Sequence, residues 1–204
     1  MMDLSVLYSA MLEWPMAPIH LGIPVRWWPS PHYTPGRIAP VDLIIIHAIS
    51  LPPGVYGTRH VIDFFTGKLD TDLHPFYREV EGLRVSAHFF IERSGRLHQF
   101  VDTDDTAWHA GESEFDGRTN CNDFSIGVEL EGNPEHFFTP QQYQTLSLLT
   151  NSLMDDYPLI QPERIVGHDH VSPGRKVDPG PLFDWDGFLS RIRLARQRSS
   201  HDIG

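Results

Sequence analysis

The sequence predicts an α/β fold with a mixed central β-sheet flanked by helices. Short apolar runs suited to buried strands recur at residues 41–49, 125–131 and 164–168. Segments with helical patterning lie between and after them, at residues 58–66, 140–156 and from 184 onward. Strands that interleave with helices in this way build a sheet covered on both faces. At 204 residues the expected organisation is one domain over 1–204, with 1–30 as an N-terminal wrap and 189–204 as a helix end and tail.

Residues 1–40 are rich in Pro and Trp and lack clear periodicity, so they are expected to wrap the domain rather than form another. Residues 41–49 (VDLIIIHAI) carry Ile44, Ile45 and Ile46 in succession, which suits a strand buried on both faces. His47 stands near its C-terminal end. Residues 58–66 (TRHVIDFFT) followed by Gly67 read as a short helix with a glycine stop. Residues 85–92 and 96–101, joined through Ser94-Gly95, read as a β-hairpin. Residues 125–131 (SIGVELE) form a strand in which Ile126, Val128 and Leu130 alternate with Gly127 and Glu129. Thr139-Pro140-Gln141-Gln142 is a capping box with Pro at the first helical position. The helix it opens turns Tyr143, Leu146, Leu149 and Leu153 inward. Residues 164–168 (RIVGH) form a short last strand. Asp184 caps a C-terminal helix with Trp185, Phe188, Leu189 and Ile192 on one face.

The bulk numbers exclude several classes. A net charge of −11 argues against a nucleic-acid partner, because phosphate binding needs a basic face. Cys121 is the only cysteine, so neither an intramolecular disulfide nor a thiolate zinc cluster is possible, which fits a reducing compartment. The first basic residue is Arg26, so no positively charged leader is expected. No apolar stretch approaches the ~20 residues of a membrane span. These features predict a cytoplasmic protein without a membrane partner.

The chemistry concentrates in residues 167–181, GHDHVSPGRKVDPGP. So many turn-forming and stiffening residues argue against a helix and for a shaped loop that gathers His168, Lys176 and Asp178. Three hydrophobic strands end in a reactive side chain, His47, Glu129 or His168, and sites in α/β folds gather at the carboxyl ends of strands. His47, His168 and Asp178 are therefore the expected ligands of one Zn2+. Three protein ligands leave the fourth tetrahedral position to water, whose pKa then falls to roughly 7. Any one of twelve histidines reads more readily as a core residue; the three ligands together, with Lys176 between two of them, reverse that reading. Glu129, a lone acid facing away from the apolar side of its strand, is the candidate general base, with Glu131 of the same parity as competitor. Lys176 is the candidate stabiliser of an oxyanion. Asp169 and His170 are rival ligands; they rank below Asp178, because Ser172-Pro173-Gly174 indicates that the strand has ended before His170. His88 lies in a hairpin strand and reads as structural. His109, in Ala107-Trp108-His109-Ala110-Gly111, is placed to line a pocket. Trp108 reads equally as a flat surface for a sugar or acyl group and as a core tryptophan.

Several motifs occur in a familiar order: HAISLPPG at 47–54, LRVSAH at 83–88, AWHAG at 107–111, CNDFSIGVELEG at 121–132 and the loop beginning at 167. Together they resemble the AmpD-type N-acetylmuramoyl-L-alanine amidases over about residues 30–188. The resemblance implies the fold shared with peptidoglycan recognition proteins and a cytoplasmic, zinc-dependent enzyme of cell-wall recycling. Its substrate would be a muropeptide, cut between the lactyl group of 1,6-anhydro-N-acetylmuramic acid and L-alanine. In bacteria with an inducible β-lactamase, that reaction removes the inducing fragment. By motif position the ligands are His47, His168 and Asp178, and the catalytic pair is Glu129 and Lys176. Arg84 matches an arginine that meets the peptide stem's carboxylate, a group that suits a planar guanidinium. Two positions depart from the pattern. Ala48 stands where Asn often follows the first zinc histidine, and Asn120 stands where a second stem-binding arginine is familiar, with Arg118 two residues earlier as its candidate replacement. The alternatives are a non-catalytic peptidoglycan-binding module, which would lack a ligand or the base, and an amidase of the same fold acting on intact peptidoglycan.

Overall fold

The computed structural model describes residues 24–201. Residues 1–23 of the expected wrap and 202–204 of the tail lie outside the described residues. In chain order the elements are β1 (Val25–Trp27), β2 (Tyr33–Thr34), β3 (Leu43–Ile49), α1 (His60–Phe65), β4 (Phe89–Ile91), β5 (Leu97–Gln99), β6 (Thr106–Ala107), β7 (Glu114–Phe115) and β8 (Arg118–Thr119). They continue as β9 (Ser125–Glu131), α2 (Pro140–Asp156), β10 (Ile165–Gly167), α3 (His168–Val171) and α4 (Trp185–His201).

The central sheet runs β1-β5-β4-β9-β3-β10. It is mixed: β4 and β5 pair antiparallel, while every other neighbouring pair is parallel. In β3 and β9, Ile44 and Ile46 lie beside Ile126 and Val128, and all four are fully buried. This face packs against Leu146, Leu149 and Leu153 of α2 and Phe188 and Ile192 of α4. Burying one such side chain is worth about 1.5–3 kcal/mol. On the opposite face, Phe90 of β4 joins Val61, Ile62, Phe64 and Phe65 of the α1 region.

The capping box at the start of α2 is present in full. Gln142 N–H donates to Thr139 Oγ1 at 3.1 Å, and Thr139 N–H donates to Gln142 Oε1 at 3.0 Å. Gln142 Nε2 also donates to the carbonyls of Ile91 and Glu131, so one side chain both starts the helix and ties it to two strands. At the C-terminal helix, Asp184 Oδ1 accepts Gly187 N–H at 3.0 Å, as expected of a cap.

Three local expectations change. Residues 25–27 do more than wrap: they pair parallel with β5 and satisfy its outer edge. The hairpin strands are shorter than expected because Ser86 N–H leaves the sheet to donate to the Trp108 carbonyl. The stretch after β10 begins with a helical turn, α3, rather than with open loop. No proline opposes a turn at 168–171, since the first one is Pro173.

Candidate metal centre

His47 stands at the C-terminal end of β3 and Glu129 at that of β9, and the two strands pair in parallel with His47 directly beside Glu129. Both side chains therefore project from the sheet face opposite the α2–α4 core. His168 follows β10, which lies on the other side of β3. The chain then loops out and returns: Asp169 N–H donates to the Asp178 carbonyl at 2.9 Å, and Lys176 N–H to the Ser172 carbonyl at 3.0 Å. These bonds bring Asp178 back beside the residue that began the loop.

His47 Nδ1 and His168 Nδ1 are 3.0 Å apart, His168 Nδ1 and Asp178 Oδ2 3.1 Å, and His47 Nδ1 and Asp178 Oδ2 3.4 Å. Ligand atoms 2.0–2.1 Å from a tetrahedral zinc sit roughly 3.3 Å from one another. The triangle fits that centre and leaves one apex open. The donor set, two imidazoles and a carboxylate, suits zinc equally well. Among the described residues it is the one such His/Cys/Asp/Glu cluster. Burial lowers the His47 imidazole to about 4, against the pull of Asp178, so it is neutral and able to ligate near pH 7. Burial pushes the Asp178 carboxyl up, but the two imidazoles beside it outweigh this and keep it ionised.

The three ligands, Glu129 and Lys176 line one cavity of about 370 Å3. Glu129 is buried, its Oε2 has no hydrogen-bond partner, and burial, reinforced by Asp178 and opposed by Lys176, raises its carboxyl well above the ordinary value. A carboxyl raised in this way, with one oxygen uncommitted, is suited to accept a proton and return it. Glu131 is occupied elsewhere: its carboxylate accepts the backbone N–H groups of Gly57 at 2.5 Å and Arg93 at 2.9 Å.

Trp108 and His109 both line the cavity. The Trp108 indole N–H donates to Thr34 Oγ1 at 3.0 Å, which tethers the ring at the cavity wall. Phe64, Phe65, Phe76, Val80 and Leu83 supply an apolar wall, a usual partner to a few placed polar groups. Arg84 is exposed and lines a smaller neighbouring cavity of about 230 Å3 that shares Phe64, Val80 and Leu83 with the main one. The structure does not bring Arg118 to either cavity. Its guanidinium makes a bidentate pair with Asp42 at 2.7 and 3.0 Å and lies over the Phe124 ring. Asp169 and His170 are exposed outside the ligand triangle. Sequence reasoning missed the contact of His109 Nδ1 with His47 Nε2, at 2.9 Å. Gly127 was its available signal, since a glycine inside a strand often marks close approach by another group.

Residues 37–181 match the family model for N-acetylmuramoyl-L-alanine amidase. The chain belongs to the N-acetylmuramoyl-L-alanine amidase family. The amidase is 53% identical over 166 residues to the 1,6-anhydro-N-acetylmuramyl-L-alanine amidase AmpD of Haemophilus influenzae, covering 80% of this chain and 90% of that one. It superposes on the crystal structure of a selenomethionine AmpD derivative with a TM-score of 0.78 at 45% identity, covering 83% of this chain and 93% of the other. It also resembles the Escherichia coli amidase AmiD, solved with the substrate anhydro-N-acetylmuramic acid-L-Ala-D-γ-Glu-L-Lys, at a TM-score of 0.56 and 28% identity over 76% of this chain and 59% of AmiD. The amidase therefore combines the family's fold with a buried cluster fit for its Zn2+ cofactor.

Proposed function

We propose that this amidase is a zinc hydrolase of muropeptides, cleaving the amide between the lactyl group of 1,6-anhydro-N-acetylmuramic acid and L-alanine. The observation that carries the reading is the convergence of His47 Nδ1, His168 Nδ1 and Asp178 Oδ2 in a cavity that also holds Glu129 and Lys176. A bound zinc supplies Lewis-acid polarisation and makes water a competent nucleophile near neutral pH. Glu129 takes a proton from the attacking water and hands it to the L-alanine nitrogen, which leaves as an amine. The lactyl carbon gains the water oxygen and leaves as a carboxylate. Lys176 faces the negative charge that grows on the carbonyl oxygen during attack. Trp108 offers its ring face to the sugar.

Defined muropeptides test the activity. Digestion of an anhydro-muramyl tripeptide should release a free L-Ala-terminated peptide and anhydro-N-acetylmuramic acid, read by mass spectrometry. A product cut within the peptide, or none, would overturn the assignment. Arg84 is assigned to the stem carboxylate from the rim of the adjoining cavity. Arg84→Ala should therefore raise KM for a tripeptide stem by about tenfold, the scale of one charge-assisted hydrogen bond, and leave a bare L-Ala substrate nearly unchanged. An equal loss for both substrates would remove Arg84 from stem recognition.

The site of action assigned to the enzyme is the cytoplasm, where released wall fragments are recycled. Among the described residues no helix is long and apolar enough to cross a membrane. Cell fractionation with detection of the native protein checks the assignment, and recovery in the periplasm would refute it.

A further inference from the structure

The loop Ala107-Trp108-His109-Ala110-Gly111 reaches the far side of both histidine ligands. His47 Nε2 lies 2.9 Å from His109 Nδ1, and His168 Nε2 lies 3.1 Å from the Ala110 carbonyl oxygen. Proton positions follow from the groups at the ends of these chains. Ser125 Oγ donates its only proton to the Cys121 carbonyl at 2.6 Å. Toward His109 Nε2, 3.3 Å away, Ser125 can then only accept. His109 accordingly carries its proton on Nε2 and keeps a lone pair on Nδ1. That lone pair receives the Nε2 proton of His47 and leaves His47 Nδ1 bare. A carbonyl oxygen also can only accept, and that of Ala110 has two lone pairs, one for Arg175 Nη2 at 2.6 Å and one for His168 Nε2. Arg175 Nη2 itself is 3.5 Å from His168 Nε2, too long to compete. His168 therefore donates from Nε2, and its Nδ1 is bare as well. Both contacts select the tautomer in which the nitrogens that face Asp178 carry lone pairs.

The loop is itself held. Asn122 Oδ1 accepts the N–H groups of His109 at 3.0 Å and Ala110 at 2.8 Å. The His109 ring lies against Gly127 so closely that a Cβ there would fall 2.4 Å from its Cγ. Strand β9 thus supplies, on one face, a gap for this ring at Gly127 and the acid at Glu129.

We propose that His109 and the Ala110 carbonyl are positioning groups of the metal centre: from behind, they fix the tautomer and ring orientation of His47 and His168. The inference rests on zinc binding at His47, His168 and Asp178. Outer hydrogen-bond partners of ligating histidines commonly set metal affinity in this way. A wall residue that only touched substrate would alter KM and leave zinc affinity alone.

Zinc affinity of the full chain, measured by competition with a chromophoric chelator, separates the two roles. His109→Phe keeps a ring but removes the acceptor; it should weaken zinc binding by about 10–100-fold. His109→Asn, which returns an acceptor oxygen near the Nδ1 position, should recover most of that loss. Wild-type zinc affinity in His109→Phe, with only KM changed, overturns the inference and leaves the metal site standing. Failure of the wild-type protein to bind zinc overturns both. Imidazole nitrogen NMR of the zinc-loaded wild type decides the matter without any variant: His47 should show a protonated Nε2 and a coordinated Nδ1, and the reverse pattern overturns the proposal.

Discussion

Removal of zinc by a strong chelator is expected to abolish turnover, and stoichiometric Zn2+ to restore it. The ligand triangle explains why no residue can take over. His47, His168 and Asp178 bring together two imidazoles and a carboxylate, each able to give an electron pair to a metal and none of them a Lewis acid. None of them can withdraw electron density from a carbonyl as a divalent cation does. Lewis-acid assistance is worth several kcal/mol. At about 1.36 kcal/mol per tenfold in rate, its loss removes at least two orders of magnitude. The same cluster predicts a second readout. A ligand that binds only the folded state adds RT ln(1 + [L]/Kd) to stability, so the metal-free protein should melt at a lower temperature than the loaded one. Rates measured with atomic-absorption quantitation of residual metal check both points; full activity in metal-free protein would refute the zinc-hydrolase reading.

The parts of this site that could be read from the sequence are those with local signals. Thr139 and Gln142 are three residues apart, so their reciprocal cap is written in one short string. His47 and Glu129 could be placed because each ends an apolar strand, and parallel pairing then sets them side by side. Alternation within residues 125–131 assigned Glu129 to the face opposite the apolar core, but Glu131 shares that parity. Only the arrival of Gly57 and Arg93 N–H groups distinguishes the two acids. Arg118 illustrates the limit from the other side. Its pairing with Asp42, 76 residues away, places its guanidinium on the outer surface, and nothing local to either residue announces that contact. The same holds for His109 and His47, 62 residues apart and joined by a loop whose path depends on Asn122 and on the gap at Gly127.

Glu129→Gln is expected to lower kcat by about 10²-fold or more while zinc binds as tightly as in the wild type. The substitution keeps the shape of the side chain and touches none of the three ligands. It removes only the ability to accept and return a proton. The environment of Glu129 suits proton transfer. Burial raises its carboxyl, Asp178 adds to the effect, and Oε2 has no other partner to engage it. A base works in its ionised form, so kcat/KM should rise with pH through the Glu129 pKa. The acidic limb that reports this ionisation should vanish in the Gln variant. Stability moves the other way. In metal-free protein the folded state holds the Glu129 proton more tightly than the unfolded chain does. Its ionisation therefore costs stability as pH rises from the unfolded value toward the folded one. Gln cannot ionise, so the variant should melt no lower than wild type at neutral pH, and a lost rate cannot then be ascribed to unfolding. Near wild-type turnover in a folded, zinc-loaded Glu129→Gln would exclude Glu129 from proton transfer. Because the Glu131 carboxylate is already committed to two backbone donors, that result would leave the cavity without a general base.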